Sequence, residues 1–326
     1  MITGKRIALA FVLTVSLVFA QLFAAGKAES TKEAGPAYPT KPIQFVVPAN
    51  PGGGTDIGAR LLAEYMKSVI GQNIVITNMP GAGGTVAANY VHDAKPDGYT
   101  MLYQHEAFVA NRVFGLSKYT LKDDYVTAGG IFEVDTVCLF SKNIKSAAEL
   151  KALAAKREVI LGTEVGTSFH ILFAAIKDKS GLNLKFVDTG AVNPTLAALE
   201  GDQIDIALVP LGVIKDAVKA GRYHVIGLTS AKERSKLAPE VPTMRELGVD
   251  VYMPKFFFLA LPPGTPKEIA DKVSDAMKKT MENPEIQKKA TDLFYRAGFL
   301  TPETIYQMEK ENFDLMSEYL PLVKKK

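Results

Sequence analysis

Three segments of the chain place glycines beside small hydroxyl or carboxyl side chains. They are residues 51–54 followed by Thr55 and Asp56, residues 81–84, and residues 162–168. Glycine lets the backbone approach a bound molecule closely because it has no Cβ atom. Free backbone N–H groups at the start of a helix attract carboxylate and phosphate groups. One such loop is typical of any strand-to-helix turn, whereas three in one chain favour an anion-binding site.

Two of the four histidines lie beside these features. His105 follows directly on a predicted strand that ends at Gln104, and its neighbour Glu106 is able to orient the ring. A histidine at the carboxyl edge of a sheet often marks a site, so the sequence leaves open whether His105 contacts a ligand or makes a structural hydrogen bond. His170 comes in the first turn after the third segment, and we expect it to support that loop.

Signatures of the common enzyme classes are absent from the sequence. Val86 stands where a Gly-x-Gly-x-x-Gly motif needs its third glycine, and no Walker lysine occurs at the required spacing. Phe169 and His170 after Ser168 break the Gly-x-Ser-x-Gly pattern. The histidines are not spaced as metal ligands, either with one another or with the lone cysteine. We therefore predict a binding protein without cofactor or metal rather than an enzyme.

Short β-rich runs alternate with helical patterns along the chain, which predicts βαβ units, an α/β fold and a mostly parallel sheet. The predicted strands cover residues 43–47, 73–77, 99–104, 136–141, 159–162, 184–187, 204–209, 224–229 and 256–261. The predicted helices cover residues 55–70, a segment ending near 93, and 147–156, 169–178, 193–200, 267–281 and 302–320. In open α/β sheets ligands bind at the carboxyl ends of the strands, where the glycine segments are expected to lie.

The first 28 residues have the pattern of a secretory signal peptide. Lys5 and Arg6 precede an apolar run that reaches about Phe23, and small residues follow to Ala28. The run is shorter than the roughly 20 residues that a membrane span needs. The single cysteine, Cys138, lies far from the cleavage point, so no lipid anchor is expected. We predict an exported, non-lipidated protein of the periplasm.

The charge balance excludes one class of partner. The chain has 38 Lys and Arg against 35 Asp and Glu, a formal net charge of +3. The predicted signal peptide holds three of the basic residues and no acidic residue, so its removal leaves no net charge. Because nucleic-acid-binding domains usually carry a basic excess, nucleic acid is not an expected partner.

Eight short motifs, in this order and spacing, resemble those of the tripartite tricarboxylate transporter substrate-binding receptors. This family is also known as the TctC or Bug family of periplasmic solute receptors. The resemblance runs over nearly the whole mature chain. The motifs are Tyr38–Ile43, Pro51–Asp56, Asn78–Gly84, Pro96–Thr100, Gly166–His170, Lys219–Gly221, Val241–Thr243 and Pro262–Pro266.

The resemblance implies a two-domain periplasmic binding protein, a type II-like Venus flytrap in which two strand crossings form the hinge. After a signal peptide at 1–28 and a linker at 29–39, domain 1 would hold residues 40–140 plus 258–326. Domain 2 would hold residues 141–257. Cys138–Ser141 and Phe257–Leu261 fit the hinge crossings.

The resemblance also implies a ligand carboxylate held between loops of both domains. In domain 1 the matching residues are Pro48, Gly53, Gly54, Thr55, Asp56, Gly83, Gly84, Gln104 and His105. In domain 2 they are Thr163, Gly166, Thr167, Ser168, His170, Thr189 and Gly190. Many relatives have an aspartate where this chain has Val209, and in some of them it helps to hold an amino group. Its absence argues against an amino-acid ligand.

The implied function is a periplasmic receptor for a small organic carboxylate, a di- or tricarboxylate, which it delivers to the integral-membrane permease subunits of a tripartite transporter. One alternative is a receptor of the same fold for an amino acid or another small solute. Another is an exported hydrolase that uses Ser168 and His170. Two residues apart in a loop and helix start, these side chains are poorly placed to hydrogen-bond to each other.

Overall fold

The computed structural model describes residues 38–324 of the chain. The predicted signal peptide, most of the predicted linker and the last two lysines lie outside the described residues. Within residues 38–324, no helix has the length and apolar character needed to cross a bilayer.

The described residues form eleven strands and ten α-helices. The strands are β1 (Ile43–Val47), β2 (Ile74–Asn78), β3 (Thr100–His105), β4 (Val126–Glu133), β5 (Val137–Ser141), β6 (Val159–Thr163), β7 (Leu184–Asp188), β8 (Ile206–Pro210), β9 (His224–Leu228), β10 (Phe256–Leu261) and β11 (Arg296–Leu300). The helices are α1 (Gly54–Ile70), α2 (Thr85–His92), α3 (Ala107–Val113), α4 (Ala147–Ala154), α5 (Ser168–Ser180), α6 (Val192–Glu200), α7 (Leu211–Lys219), α8 (Lys267–Met281), α9 (Pro284–Asp292) and α10 (Pro302–Lys324).

The strands form two mixed sheets. The first has the order β11-β4-β10-β3-β1-β2, and the second has the order β7-β6-β8-β5-β9. In the first sheet β1 pairs in parallel with β2 and β3, and in the second β6 pairs in parallel with β7 and β8. We call each sheet with its helices the first and second lobe. The parallel strands bring the loops before α1 and α2 to one edge of the first sheet, and the loops before α5 and α6 to one edge of the second.

The chain crosses between the sheets at residues 134–136 and 229–255. The two crossings are joined by a hydrogen bond from the Val134 N–H to the Lys255 carbonyl, 2.9 Å long. The predicted hinge segments are wrong, because Cys138–Ser141 lies within β5 and Phe257–Leu261 lies within β10, each paired on both sides. The predicted domain limits stay a prediction.

Helix α10 and helix α3 belong to the core of the second lobe as well as the first. Val109 of α3 and Met316 and Tyr319 of α10 pack in one buried cluster with Leu161 of β6 and Ile171 of α5. A separate cluster, which includes Leu102, Phe258 and Ile305, lies against the first sheet. Burial of shared apolar surface therefore stabilises the arrangement of the two lobes.

Candidate functional site

Asp56, in the first turn of α1, holds the glycine loop that precedes it. Its Oδ2 accepts hydrogen bonds from the Gly52 N–H and from Arg60 Nε, both 2.9 Å long. Its Oδ1 accepts one from Asn78 Nδ2, also 2.9 Å long. Burial raises the pKa of Asp56, but its bonds to Arg60, Gly52 and Asn78 outweigh burial and hold that pKa below its ordinary value. The side chain is only 1% exposed, so Asp56 positions the loop.

The second glycine loop lies against the first. Gly83 and Gly84 have φ angles of 65° and 97°, a backbone conformation that L side chains rarely adopt. A Cβ atom on Gly84 would lie 2.5 Å from Gln104 Nε2 and 3.0 Å from the Cβ of Pro48. The carbonyl of Gly83 accepts a 2.9 Å hydrogen bond from Asn111 Nδ2. Pro48, Gly84 and Gln104 are thus brought together, as predicted, and only glycine fits between the other two.

Gln104 carries a buried donor that no group in residues 38–324 uses. Its Oε1 accepts a 3.1 Å hydrogen bond from the His105 N–H, which orients the amide group. Its Nε2 has no hydrogen-bond partner among residues 38–324, although the residue is 1% exposed. A buried donor without a partner costs free energy, about 1–3 kcal/mol. An anion at this edge of the first sheet would recover part of that cost.

The second-lobe residues form a group of their own. The Thr189 N–H donates to the Thr163 carbonyl over 3.1 Å, and Thr167 Oγ1 donates to the Glu164 carbonyl over 2.8 Å. The Gly190 N–H donates to Asp188 Oδ1 over 3.1 Å. These contacts bring the loops before α5 and α6 side by side, as the pairing of β6 and β7 requires.

His170 supports the loop before α5, as predicted. Its ring stacks on Phe186 with a centroid distance of 4.1 Å, and its Nδ1 lies 3.4 Å from the Gly166 nitrogen, which donates to it. Burial lowers the pKa of His170, with Asp188 opposing that change. The ring is therefore favoured in its neutral form, which leaves Nδ1 free to accept the Gly166 hydrogen bond.

A buried ion pair that the sequence reasoning missed lies in the first lobe, at the point where it contacts the second. Glu106, which follows β3, and Lys255, which precedes β10, form a salt bridge in which the two side chains are 2% and 10% exposed. Ser168 Oγ, at the start of α5, donates to Glu106 Oε1 over 3.1 Å. Lys255 Nζ donates both to that carboxylate oxygen and, over 3.3 Å, to Ser168 Oγ. Glu106 and Lys255 are 149 residues apart in the chain, so only the fold brings them together.

Glu106 also determines which ring nitrogen of His105 carries a proton. Burial raises the pKa of Glu106, but Lys255 and His105 outweigh burial and hold that pKa well below its ordinary value. The carboxylate lies 3.1 Å from His105 Nδ1, and the Ala107 N–H lies 3.2 Å from the same nitrogen. One Nδ1 cannot donate to Glu106 and accept from Ala107 at once. The charged carboxylate makes the stronger bond, so Nδ1 carries the proton.

Within residues 38–324, hydrogen bonds link the two groups of predicted site residues through Glu106 alone. Glu106 bonds to His105 on one side and to Ser168 on the other. The Ser168 hydroxyl is directed to Glu106, not to His170, so the nucleophile–base bond that a hydrolase needs is not formed. In the same part of the chain no three His, Cys, Asp or Glu residues are grouped to hold a metal.

Two surface cavities, of about 570 and 350 Å³, lie around the strand crossings and away from the glycine loops. Both are lined by Glu133, Lys232, Tyr252 and Arg296. Arg296 pairs with Glu133, and Lys232 lies 3.6 Å from Glu311. Because these charges already compensate one another, we place the candidate site at the glycine loops instead.

Comparison with known proteins gives the family. A sequence model described as "Tripartite tricarboxylate transporter family receptor" (TctC) matches residues 58–295. A protein encoded in the TAR-I ttuE-ttuC' intergenic region of Agrobacterium vitis is 31% identical over 270 residues, 80% of this chain and 77% of that one.

Solved structures agree with this assignment. The periplasmic binding protein BugD superposes with a TM-score of 0.73 and 25% identity over 88% of this chain and 98% of its own. MatC from Rhodopseudomonas palustris with bound malate superposes with a TM-score of 0.73 and 26% identity over 87% of this chain and 100% of its own. With a two-sheet α/β fold matching that of these periplasmic binding proteins, the chain belongs to the TctC family of tripartite tricarboxylate transporter receptors, which are solute-binding proteins.

Proposed function

We propose that this protein is a periplasmic receptor that captures a small organic di- or tricarboxylate between its two lobes. It then delivers the solute to the integral-membrane permease subunits of a tripartite transporter. Family membership supports the transport role, and the predicted signal peptide supports the periplasmic location. The malate-bound MatC structure, at 26% identity, supports a carboxylate as the solute class.

The observation that carries the carboxylate assignment is the unpartnered Nε2 of Gln104. This donor lies against Gly84, which precedes the first turn of α2, and beside Pro48, which opens the loop to α1. Two helix starts and a side-chain amide together supply hydrogen-bond donors without a full positive charge. A carboxylate is stabilised by such donors through charge-assisted hydrogen bonds.

The second lobe contributes hydroxyl groups, which are also able to donate hydrogen bonds to a carboxylate. Thr163 and Ser168 are buried, at 3% and 5% exposure, at the carboxyl end of β6 and the start of α5. Hydroxyl donors from this lobe and amide donors from the first lobe fit the two ends of a dicarboxylate. Closure of the lobes around it would remove both ends from water, as in other hinge-closing receptors.

Among residues 38–324, no structural feature favours the amino-acid alternative. Val209, which stands where many relatives have an aspartate, is fully buried in an apolar cluster of the second lobe. Glu106 is the acid near these residues that could hold an ammonium group, and Lys255 already neutralises it. We therefore keep the carboxylate as the proposed solute.

The test is a thermal-shift screen of the mature chain, refolded without ligand, against malate, adipate, citrate, acetate, amino acids and phosphate. A solute at a hundred times its dissociation constant adds about 2.7 kcal/mol to stability, a rise of a few degrees in Tm. We expect that rise with one of the di- or tricarboxylates. Replacement of Gln104 by leucine should remove most of it, because the buried donor is lost.

The matched control is Gln44→Leu in β1, whose Nε2 donates to Thr77 Oγ1 over 2.9 Å and not to the candidate site. This variant should keep the shift of the wild type. A shift with amino acids and none with any carboxylate would overturn the proposed solute class. An equal shift in wild type and Gln104→Leu would overturn the role given to Gln104.

A further inference from the structure

Ser168 already binds a carboxylate, one that belongs to the protein. Its Oγ donates to Glu106 Oε1 over 3.1 Å, and the hydroxyl therefore has no second proton to offer a solute. Glu106 comes from the first lobe and Ser168 from the second. The contact is thus the same kind of bridge between lobes that the proposed solute carboxylate would make.

The surroundings of Ser168 are positively charged. Lys255 Nζ lies 3.3 Å from Ser168 Oγ and 4.3 Å from the centroid of the Phe169 ring, in the first turn of α5. The start of a helix carries a partial positive charge, which disfavours a nearby cation. A nearly buried ammonium group also needs an anion close by. Glu106 is that anion in this structure.

We propose that Glu106 occupies the place that one carboxylate of the solute takes on binding, and that Lys255 and Ser168 then hold the solute. Glu106 thereby competes with the solute and sets its affinity. Lys255 becomes a solute-binding cation that the glycine motifs do not reveal. This inference rests on the proposed function, because it assumes that the solute bridges the two lobes.

The exchange restricts which solutes bind well. A neutral group cannot take over from Glu106, because it would leave Lys255 without an anion next to the start of α5. An anionic group can, since it restores both the ion pair and the Ser168 hydrogen bond. We expect a solute with a carboxylate at each end to bind, and its diamide, which has no anionic group, to bind poorly.

The first measurement is calorimetric titration of the protein with three probes in turn: malate, adipate and citrate. In Glu106→Gln the competing charge is gone while the side-chain shape is kept. We expect at least one of the three probes to bind about tenfold more tightly than to wild type, the scale of one charge-assisted hydrogen bond. In Lys255→Met the same probe should bind at least tenfold more weakly.

The matched control is Glu309→Gln. Glu309 is also a buried carboxylate in an ion pair, with Arg112 at 3.0 Å, and it accepts hydrogen bonds from the Leu121 N–H, on the first lobe. Its replacement should leave probe affinity unchanged. Equal or weaker binding of all three probes by Glu106→Gln would overturn the proposal and leave Glu106 a structural residue.

The second measurement needs no ligand. Nitroxide labels on Lys67→Cys and Lys219→Cys, both exposed and on different lobes, report the distance between the lobes, and the buried Cys138 is not labelled. Glu106→Gln and Ser168→Ala should both broaden the distance distribution of the unliganded protein. Ser168→Ala keeps the ion pair, so it guards against a folding defect. If no probe binds any variant, the proposed function fails. In that event an unchanged distance distribution overturns this inference too. A broadened distance distribution supports the Glu106–Ser168 bridge.

Discussion

At the scale of single residues, Asp56 shows how a buried carboxylate can hold the loop of a candidate binding site. Both of its oxygens accept hydrogen bonds, so neither faces the glycine loop as a free acceptor. In Asp56→Asn, one amide N–H₂ group must face a donor, either Asn78 Nδ2 or the Gly52 and Arg60 donors. We expect a loss of about 1–3 kcal/mol in unfolding free energy and weaker binding of the active carboxylate.

Urea unfolding and calorimetric titration measure the two effects of Asp56→Asn. The control is Asp271→Asn, because Asp271 is exposed and pairs with Lys267 one turn away on α8. Exposed pairs of this kind contribute little, so the control should stay within about 0.5 kcal/mol of wild type. A variant at position 56 that is as stable as this control contradicts the positioning role.

The same scale shows why the sequence predicted part of the site. The glycines and Gln104 lie in local motifs at strand ends, so pattern alone indicated them. No local sequence pattern indicates the Glu106–Lys255 pair. The two residues are far apart in the chain and meet only because β3 and β10 pair in the first sheet. The position of Glu106 beside His105 at the end of a predicted strand was the one available hint, and it did not indicate a partner.

At the scale of elements, β4 shows how glycine residues can weaken the sequence pattern from which a strand is predicted. Its sequence VTAGGIFE has two central glycines, which weaken any strand pattern. Both are required by packing: a Cβ on Gly129 would lie 2.7 Å from the Leu300 carbonyl oxygen, and one on Gly130 would lie 2.5 Å from Ile305 Cδ1. The strand was not predicted, because it is buried on both faces and so shows no alternation of apolar and polar residues. Strand β11 was not predicted either. Long periodic helices such as α1 and α8 were predicted closely.

Gly130→Ala tests this explanation. The added methyl group would meet Ile305 of α10 and, at 2.9 Å, the backbone oxygen of Phe257, which cannot move without disturbing β10. We expect a loss of about 1–3 kcal/mol, the usual cost of overpacking. Gly298→Ala in β11 is the matched control, since nothing lies within 4 Å of its Cβ position. Chemical denaturation should show a lower unfolding free energy for Gly130→Ala than for Gly298→Ala. Equal unfolding free energies would mean that the first sheet shifts at Gly130 to make room for the methyl group.

At the scale of the whole molecule, the fold class followed from the βαβ alternation, whereas the crossings did not. Phe257–Leu261 was assigned to the hinge from the family resemblance, but it is buried within β10, in the middle of the first sheet. The true crossings, 134–136 and 229–255, lie outside the strands and helices and include buried apolar residues such as Met244 and Val251. Their positions depend on how α10 and α3 join the two cores, which no single segment records.

The whole molecule should lose stability in acid, in two stages. The buried His170 has a lowered pKa, so below about pH 6.5 the unfolded chain binds its proton first and unfolding becomes easier. Asp56, Glu106 and Asp205 also have lowered pKa values in the fold. Their contribution is present above the ordinary carboxyl pKa, roughly 4, and is lost as pH falls below it. Glu309 opposes this stage, because burial raises its pKa.

Urea midpoints measured from about pH 7 down to about pH 3 would therefore fall steadily, with the steepest part below about pH 4.5. Glu106→Gln should start lower at neutral pH and fall less steeply in that last range, since one of the three titrating groups is missing. Glu106 belongs to the first lobe and accepts a hydrogen bond from Ser168 of the second, so this difference includes the contact between the lobes. A Glu106→Gln curve parallel to that of wild type would show that the carboxylate does not contribute through its charge.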